Sequence, residues 1–457
     1  MLKLTVGDLL SAVHGTLLAG ERTQTITAVE TDSRACCAGA LFVPLIAARD
    51  GHDFIGAAFS AGAEGTLCSR RPEAFVPGKF YIHAEDTRLA LKALASWYRG
   101  RFDIPFVQIT GSVGKTTTKE MIAAVLSEHF CTLKTEGNFN NDIGVPKTLL
   151  RLMPEHEAAV IETGMNHFGE IRYLGEMVRP DIAVISNVGD AHIENLGSRE
   201  GILRAKSEIF EHLKKTGFAV LNGDDALLNT LHPDVPVYRC GEEKHCDVRV
   251  SQVEEHGIEE VSCRVETEKE RYDLRIPAPG RHMIYSAAMA AVIGQQLGLS
   301  REEIQAGVAH YEPAGERMRR IERPDGVLIL SDCYNANPQS MAAAIHTLAR
   351  SGRAQAVAVL GDMGELGALS PQAHYDMGLC CAKEGVETVI AVGEQSKEIA
   401  RGAREGGCAD VHWCAGREQA CALLSAMLRK HAAVLVKASH AMQFQQITAY
   451  LTNLSEI

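Results

Sequence analysis

A chain of 457 residues with 46% hydrophobic and 23% charged content is too long for one hydrophobic core and too apolar for disorder, so two to three folded domains are expected. Its net charge of -12, from 58 Asp and Glu against 46 Lys and Arg with no long basic block, argues against a nucleic-acid partner. No run is apolar enough for a membrane span, and the opening MLKLTVGDLLSAVHG is broken by Lys3, Asp8 and His14 where a signal peptide needs continuous apolar residues.

The 13 cysteines form no C-x-x-C pair and are an odd number, which reads as reduced, mostly buried thiols in a cytoplasmic protein. In chain order, residues 1–101 mix short apolar runs with turn residues and end in a helical stretch, DTRLALKALASWYRG, as a small α/β domain would. From 102 to 312 the rhythm changes. IPFVQIT is a β-rich run, followed by a glycine turn and the helical KTTTKEMIAAVLSEHF; AAVIET, DIAVIS and FAVLN are further strands. Strands alternating with helices predict a central, doubly wound, mostly parallel sheet. The polar stretch from Arg239 to Pro277 alternates as antiparallel β and is expected to be an excursion from that domain. Over 313–457 the strands VLILS, AVAVLG, TVIAVG and AVLVKAS predict a third, Rossmann-like domain.

In TGSVGKTTT, glycines let backbone N–H groups turn inward before a helix whose N-terminus attracts anions, which makes a cradle for polyphosphate. Gly111, Ser112, Val113 and Gly114 would form the loop, Lys115 would neutralise phosphate, Thr116 would ligate Mg²⁺, and Thr117 would add to the nucleotide contacts. The spacing departs from the full P-loop pattern, because Ile109 stands five residues before Gly114 and the first glycine is Gly111. Glu162 closes the AAVIET strand, where a carboxylate can face the phosphates, and His192 falls in a loop at the same sheet edge. Lys206, in the helical LRAKSEIF, would be repelled by a metal ion unless its charge changed.

The ordered set TGSVGKTTTKEM, GNFNNDIGVPKTLL, ETGMNHFGEI, AHIENLGS, AKSEIF, PGRH, CYNANPQSM and GDMGELG, with TDSR, LFVPL and DGHDF before it, resembles the Mur ligases of bacterial peptidoglycan synthesis over nearly the whole chain. The resemblance implies an N-terminal UDP-sugar domain, a central P-loop ATPase domain and a C-terminal ligase domain. It implies an ATP- and Mg²⁺-dependent amide ligase joining D-Ala-D-Ala to UDP-N-acetylmuramoyl-tripeptide through an acyl phosphate, and a monomer. By the same resemblance Lys115, Glu162, His192 and Lys206 are catalytic, and Thr116, Glu162, His192 and an N-carboxylated Lys206 hold metal. His282, Arg317, Asp332, Asn335 and Asn337 would bind ATP, while Ser33, Arg34, Asp53, Asn138, Asn140 and Asn141 would bind the UDP-sugar peptide.

Departures from the family pattern are Met283 and Ser286 in place of Asn, and Ala438 and His440 in place of Gly and Arg. Two rival readings are a ligase adding a single amino acid, either another Mur-type enzyme or a folylpolyglutamate synthetase, and a P-loop ATP-binding module that performs no ligation. YNANPQSM and DGHDF favour the dipeptide adder.

Overall fold

The computed structural model describes residues 3–454. Three large β-sheets organise it, beside a two-stranded antiparallel pair of Leu4–Thr5 with Thr25–Ile26. In the first unit, strands Thr16–Ala19, Phe80–His83, Gly65–Cys68, Ala40–Phe42 and Ala28–Glu30 lie side by side in that order, parallel except for the first pair. The helix Thr87–Arg99, N-capped by Asp86, leads into the central unit. Its buried face, Leu91, Leu94 and Tyr98, shares one apolar cluster with Phe106, Leu149 and Met177, so this helix fastens the two units together.

The central sheet has nine strands. Phe106–Thr110 sits in its interior between Ala158–Glu162 and Ile182–Ile185, parallel to both. These strands are buried along their whole length, which is why they read as unbroken apolar runs rather than alternating ones. The alternating stretch is a correction to the sequence reading: Val248–His256, Glu260–Glu266 and Arg271–Ile276 are antiparallel to one another as expected, but they extend the central sheet by joining Val237–Gly241 instead of leaving it.

The helix Met283–Gln296 is apolar on nearly every side and is buried against the helix Lys115–Ser127. A third helix, Arg301–Ala309, crosses the same helix where Gly307 has no side chain; a Cβ there would lie 2.4 Å from Val125 Cα. Backbone cannot yield as a side-chain tip would. Gly307→Ala is therefore expected to destabilise the fold by about 1–3 kcal/mol despite alanine's better helix propensity, read as a lower midpoint in chemical unfolding.

The third unit has six strands, in the order Arg319–Glu322, Leu328–Ser331, Ala433–Lys437, Ala356–Gly361, Thr388–Val392 and Asp410–Cys414, parallel after the first. Apolar clusters cover both faces, as in a doubly wound sheet. Among the described residues no helix is long and apolar enough to cross a membrane.

Candidate active site

The strand Phe106–Thr110 ends at the sheet edge, and the chain turns through Gly111–Gly114 into the helix Lys115–Ser127. A Cβ at Gly111 would lie 1.9 Å from Ser186 Oγ, and Gly114 starts the helix at φ +77°. The first position needs glycine for close approach and the second for its backbone conformation. The loop is pinned from the neighbouring strand. Ser186 Oγ and Asn187 Nδ2 donate to the Val113 carbonyl at 2.7 and 2.9 Å, and the Val113 N–H donates to Asn187 Oδ1 at 2.9 Å.

So held, the first turn of the helix presents N–H groups that have no intrahelical acceptor. Ser112 Oγ is buried without a hydrogen-bond partner among the described residues, a demand that a phosphate oxygen in the loop would meet. Lys115 Nζ curls back to the Gly111 carbonyl at 2.8 Å. Burial lowers its pKa, and the Glu162 carboxylate opposes that shift.

Glu162 is buried at the end of its strand. Its Oε2 accepts from Thr116 Oγ1 at 2.8 Å and its Oε1 from Asn140 Nδ2 at 2.9 Å, so both oxygens take hydrogen bonds from neutral donors. A hydroxyl and a carboxylate beside a phosphate cradle are the hard oxygen donors that Mg²⁺ takes. Among the described residues no group of three or more His, Cys, Asp or Glu is arranged around a metal position, so Thr116 and Glu162 are the two donors already side by side for an ion.

A cavity of about 1300 Å³ opens from this loop toward the third unit. Ser112 to Thr117, Asn140, Asn141, Glu162, His192 and His282 line it from the central unit, and Arg317, Asp332, Asn335 and Asn337 from the third. The Arg317 guanidinium stacks 3.7 Å over the Tyr334 ring, which fixes its direction. Asp332 Oδ2 accepts from Lys437 Nζ at 2.5 Å, and Lys437 also donates to the Asn335 carbonyl at 3.0 Å. Asn337 caps the helix Pro338–Ala349, accepting from the Ser340 N–H at 2.9 Å. Surrounding protein holds the His282 imidazole below its usual pKa, against the pull of Asp332, so it is neutral over most of the physiological range.

His192 stands at φ +65°, with Nδ1 2.5 Å from Glu365 Oε2 of the third unit in an ion-pair approach that lacks hydrogen-bond alignment. His192 in turn holds the Glu365 carboxyl below the ordinary range.

Other expected site residues stand elsewhere. Gly111 serves through its carbonyl and its missing side chain. Lys206 is buried and does not line the cavity; burial, and after it the Lys115 ammonium, hold its pKa well below that of a free lysine, with no carboxylate or hydrogen bond opposing. Asn138 is exposed and its carbonyl accepts from the Asn140 N–H. Ser33, Arg34 and Asp53 lie on the first unit outside the cavity, Arg34 paired with Asp32 and Asp53 with Arg70 at 2.5 Å.

Lys437, Tyr334, Ser186, Asn187 and Glu365 were not singled out from sequence. A lysine ending the apolar strand AVLVK was the one available signal. Of the departures, Met283 and Ser286 line the cavity, Ser286 Oγ lying 2.9 Å from Thr118 Oγ1. Ala438 packs where a Cβ on Gly361 would come within 2.6 Å, and the exposed His440 lies 5.9 Å from the Tyr334 ring, centroid to centroid.

A glycine loop on a parallel sheet, closed over by polar groups from a second parallel sheet, defines a multidomain nucleotide-dependent enzyme. The Mur ligase middle domain matches residues 109–294, and the Mur ligase glutamate ligase domain matches residues 316–440. The chain belongs to the Mur ligase family. It is 39% identical to the UDP-N-acetylmuramoyl-tripeptide–D-alanyl-D-alanine ligase of Escherichia coli K12, over 87% of this chain and 88% of that protein. A crystal structure of MurF from Acinetobacter baumannii superposes with a TM-score of 0.91 at 31% identity, covering 99% of this chain and all of that one. MurF of Thermotoga maritima in complex with ADP superposes with a TM-score of 0.81 at 26% identity, covering 93% of this chain and 97% of that one.

Proposed function

We propose that this chain joins D-Ala-D-Ala to UDP-N-acetylmuramoyl-tripeptide with hydrolysis of ATP to ADP and phosphate, producing the pentapeptide precursor of peptidoglycan. The observation that carries this reading is the single cavity in which the phosphate loop and the Thr116–Glu162 pair face Arg317, Asp332 and Asn335. Residues 1–101 serve the UDP-sugar through Ser33, Arg34 and Asp53; 102–312 hold ATP; 313–457 close on both.

In this reading the loop N–H groups, Ser112 Oγ and Lys115 orient the triphosphate, and Arg317 meets the charge that develops on the transferred phosphoryl group. The tripeptide carboxylate attacks the γ-phosphorus along the path lined by Asn140 and Asn141, and ADP leaves. The free amine of D-Ala-D-Ala then attacks the acyl carbon, and phosphate departs as the amide forms. Most of the acceleration comes from positioning and charge neutralisation. Thr116, Glu162, His192 and the carbamate of Lys206 would hold Mg²⁺, whose contribution is to neutralise phosphate oxygens. We infer a monomer working in the cytoplasm, where its nucleotide substrates are.

The test is a coupled assay with all three substrates, following phosphate and product mass. One phosphate per pentapeptide, with single amino acids inert, is expected. Phosphate release that needs no peptide acceptor would contradict the reading. Glu162→Gln is expected to lower kcat about 10²-fold and to raise the Mg²⁺ concentration needed for half-maximal rate, because the amide can still accept from Thr116 but loses the charge and the second acceptor oxygen that Asn140 uses.

A further inference from the structure

The turn between Val248–His256 and Glu260–Glu266 reads EEHGIE, and its one large apolar residue, Ile258, stands at the tip where loops are normally polar. Ile258 is nevertheless buried, because it belongs to the apolar core of the third unit rather than to the sheet that carries it. Charged residues on both sides of it also cross between the units. Glu259 takes the Arg320 guanidinium with both oxygens, the Nη1 contact at 2.6 Å. Glu255 Oε2 lies 3.2 Å from Arg350 Nε and 3.5 Å from His346 Nε2, and His346 Nδ1 is 2.9 Å from Glu384.

The two gripped elements are those that feed the cavity. Arg320 lies in the strand Arg319–Glu322, which begins two residues after Arg317. His346 lies on the helix Pro338–Ala349, and Arg350 ends it, the same helix that Asn337 caps at the cavity.

We infer that the 254–260 turn is a positioning element for the ligation reaction: planted in the third unit by Ile258 and steered by Glu259 and Glu255, it sets where Arg317 and Asn337 stand relative to the phosphate loop. The inference rests on the proposed function, since it assumes that these third-unit residues meet the nucleotide. Exposed ion pairs taken singly contribute little, so the buried isoleucine supplies the hold and the bidentate Glu259–Arg320 pair the register.

The experiment compares wild type, Ile258→Ser, Glu259→Arg, Arg320→Glu and the exchange Glu259→Arg/Arg320→Glu, each by calorimetric titration with Mg·ADP, by steady-state KM for ATP and by thermal unfolding. The single variants are expected to weaken ADP and raise KM about tenfold with a smaller change in kcat, and the exchange to restore both to within about twofold. The unfolding midpoint of Glu259→Arg should stay at the wild-type value, which a purely structural role would not allow alongside a KM change. Wild-type ADP affinity in both Ile258→Ser and Glu259→Arg, or an exchange that restores nothing, would overturn the inference. Failure of the wild-type chain itself to bind ADP would instead remove the functional reading beneath it.

Discussion

Lys115→Met is expected to reduce ATP-dependent product formation about 10³-fold, equivalent to about 4 kcal/mol of lost transition-state stabilisation, while the folded protein persists. Nζ already curls over the loop to the Gly111 carbonyl at 2.8 Å, so its approach to a bound phosphate costs little reorganisation. Burial lowers its pKa, but Glu162 opposes that shift, and phosphate bound in the loop would oppose it further, keeping the amine charged when it is needed. Methionine keeps the length and apolar volume of the side chain and removes only the charge. Single-turnover rates with γ-labelled ATP, beside an unfolding curve matching wild type, check this. A loss below tenfold would take Lys115 out of phosphoryl transfer.

Lys206→Ala is expected to have the second large effect, a fall of about 10²–10³-fold in kcat. Burial, and after it the Lys115 ammonium, hold the Lys206 pKa well below that of a free lysine, which favours the neutral amine, and a neutral amine adds CO₂ to give a carbamate and a proton. The carbamate is an anion that attracts Mg²⁺ and Lys115, where the ammonium form of Lys206 would repel both. Short carboxylic acids such as acetate should then restore part of the activity of Lys206→Ala, because the cavity left can hold the missing negative charge. Near-normal turnover in the variant would remove Lys206 from the mechanism, and a dead variant that no carboxylate rescues would leave a packing role.

What could be read from sequence was what is local. The phosphate loop is contiguous, so its glycines, Lys115 and Thr116 were identifiable together, and strands such as AAVIE and IAVI declared themselves by unbroken apolar runs bounded by turns. The 248–276 meander was legible as antiparallel, because alternation reports two unlike faces, but not as an extension of the central sheet, because alternation says nothing about the partner of its first strand. The remaining site residues depend on distant closures. Lys437 meets Asp332 across 105 residues, and Glu365 reaches His192 only when the third unit docks. Ser186 and Asn187 grip the loop from a strand end that looked like any other. Ser33, Arg34 and Asp53 were placed by resemblance, and the cavity geometry adds no contact to them.

In the proposed reaction ATP activates a carboxylate. The most direct test labels both oxygens of the tripeptide's terminal carboxylate with ¹⁸O and analyses the phosphate released during ligation with D-Ala-D-Ala. Attack of that carboxylate on the γ-phosphorus, followed by amide formation with loss of phosphate, must carry one labelled oxygen from the peptide into each phosphate. Singly labelled phosphate in step with pentapeptide is the predicted result. Unlabelled phosphate, formed while pentapeptide accumulates, would contradict an acyl-phosphate route and with it the role given to the phosphate loop.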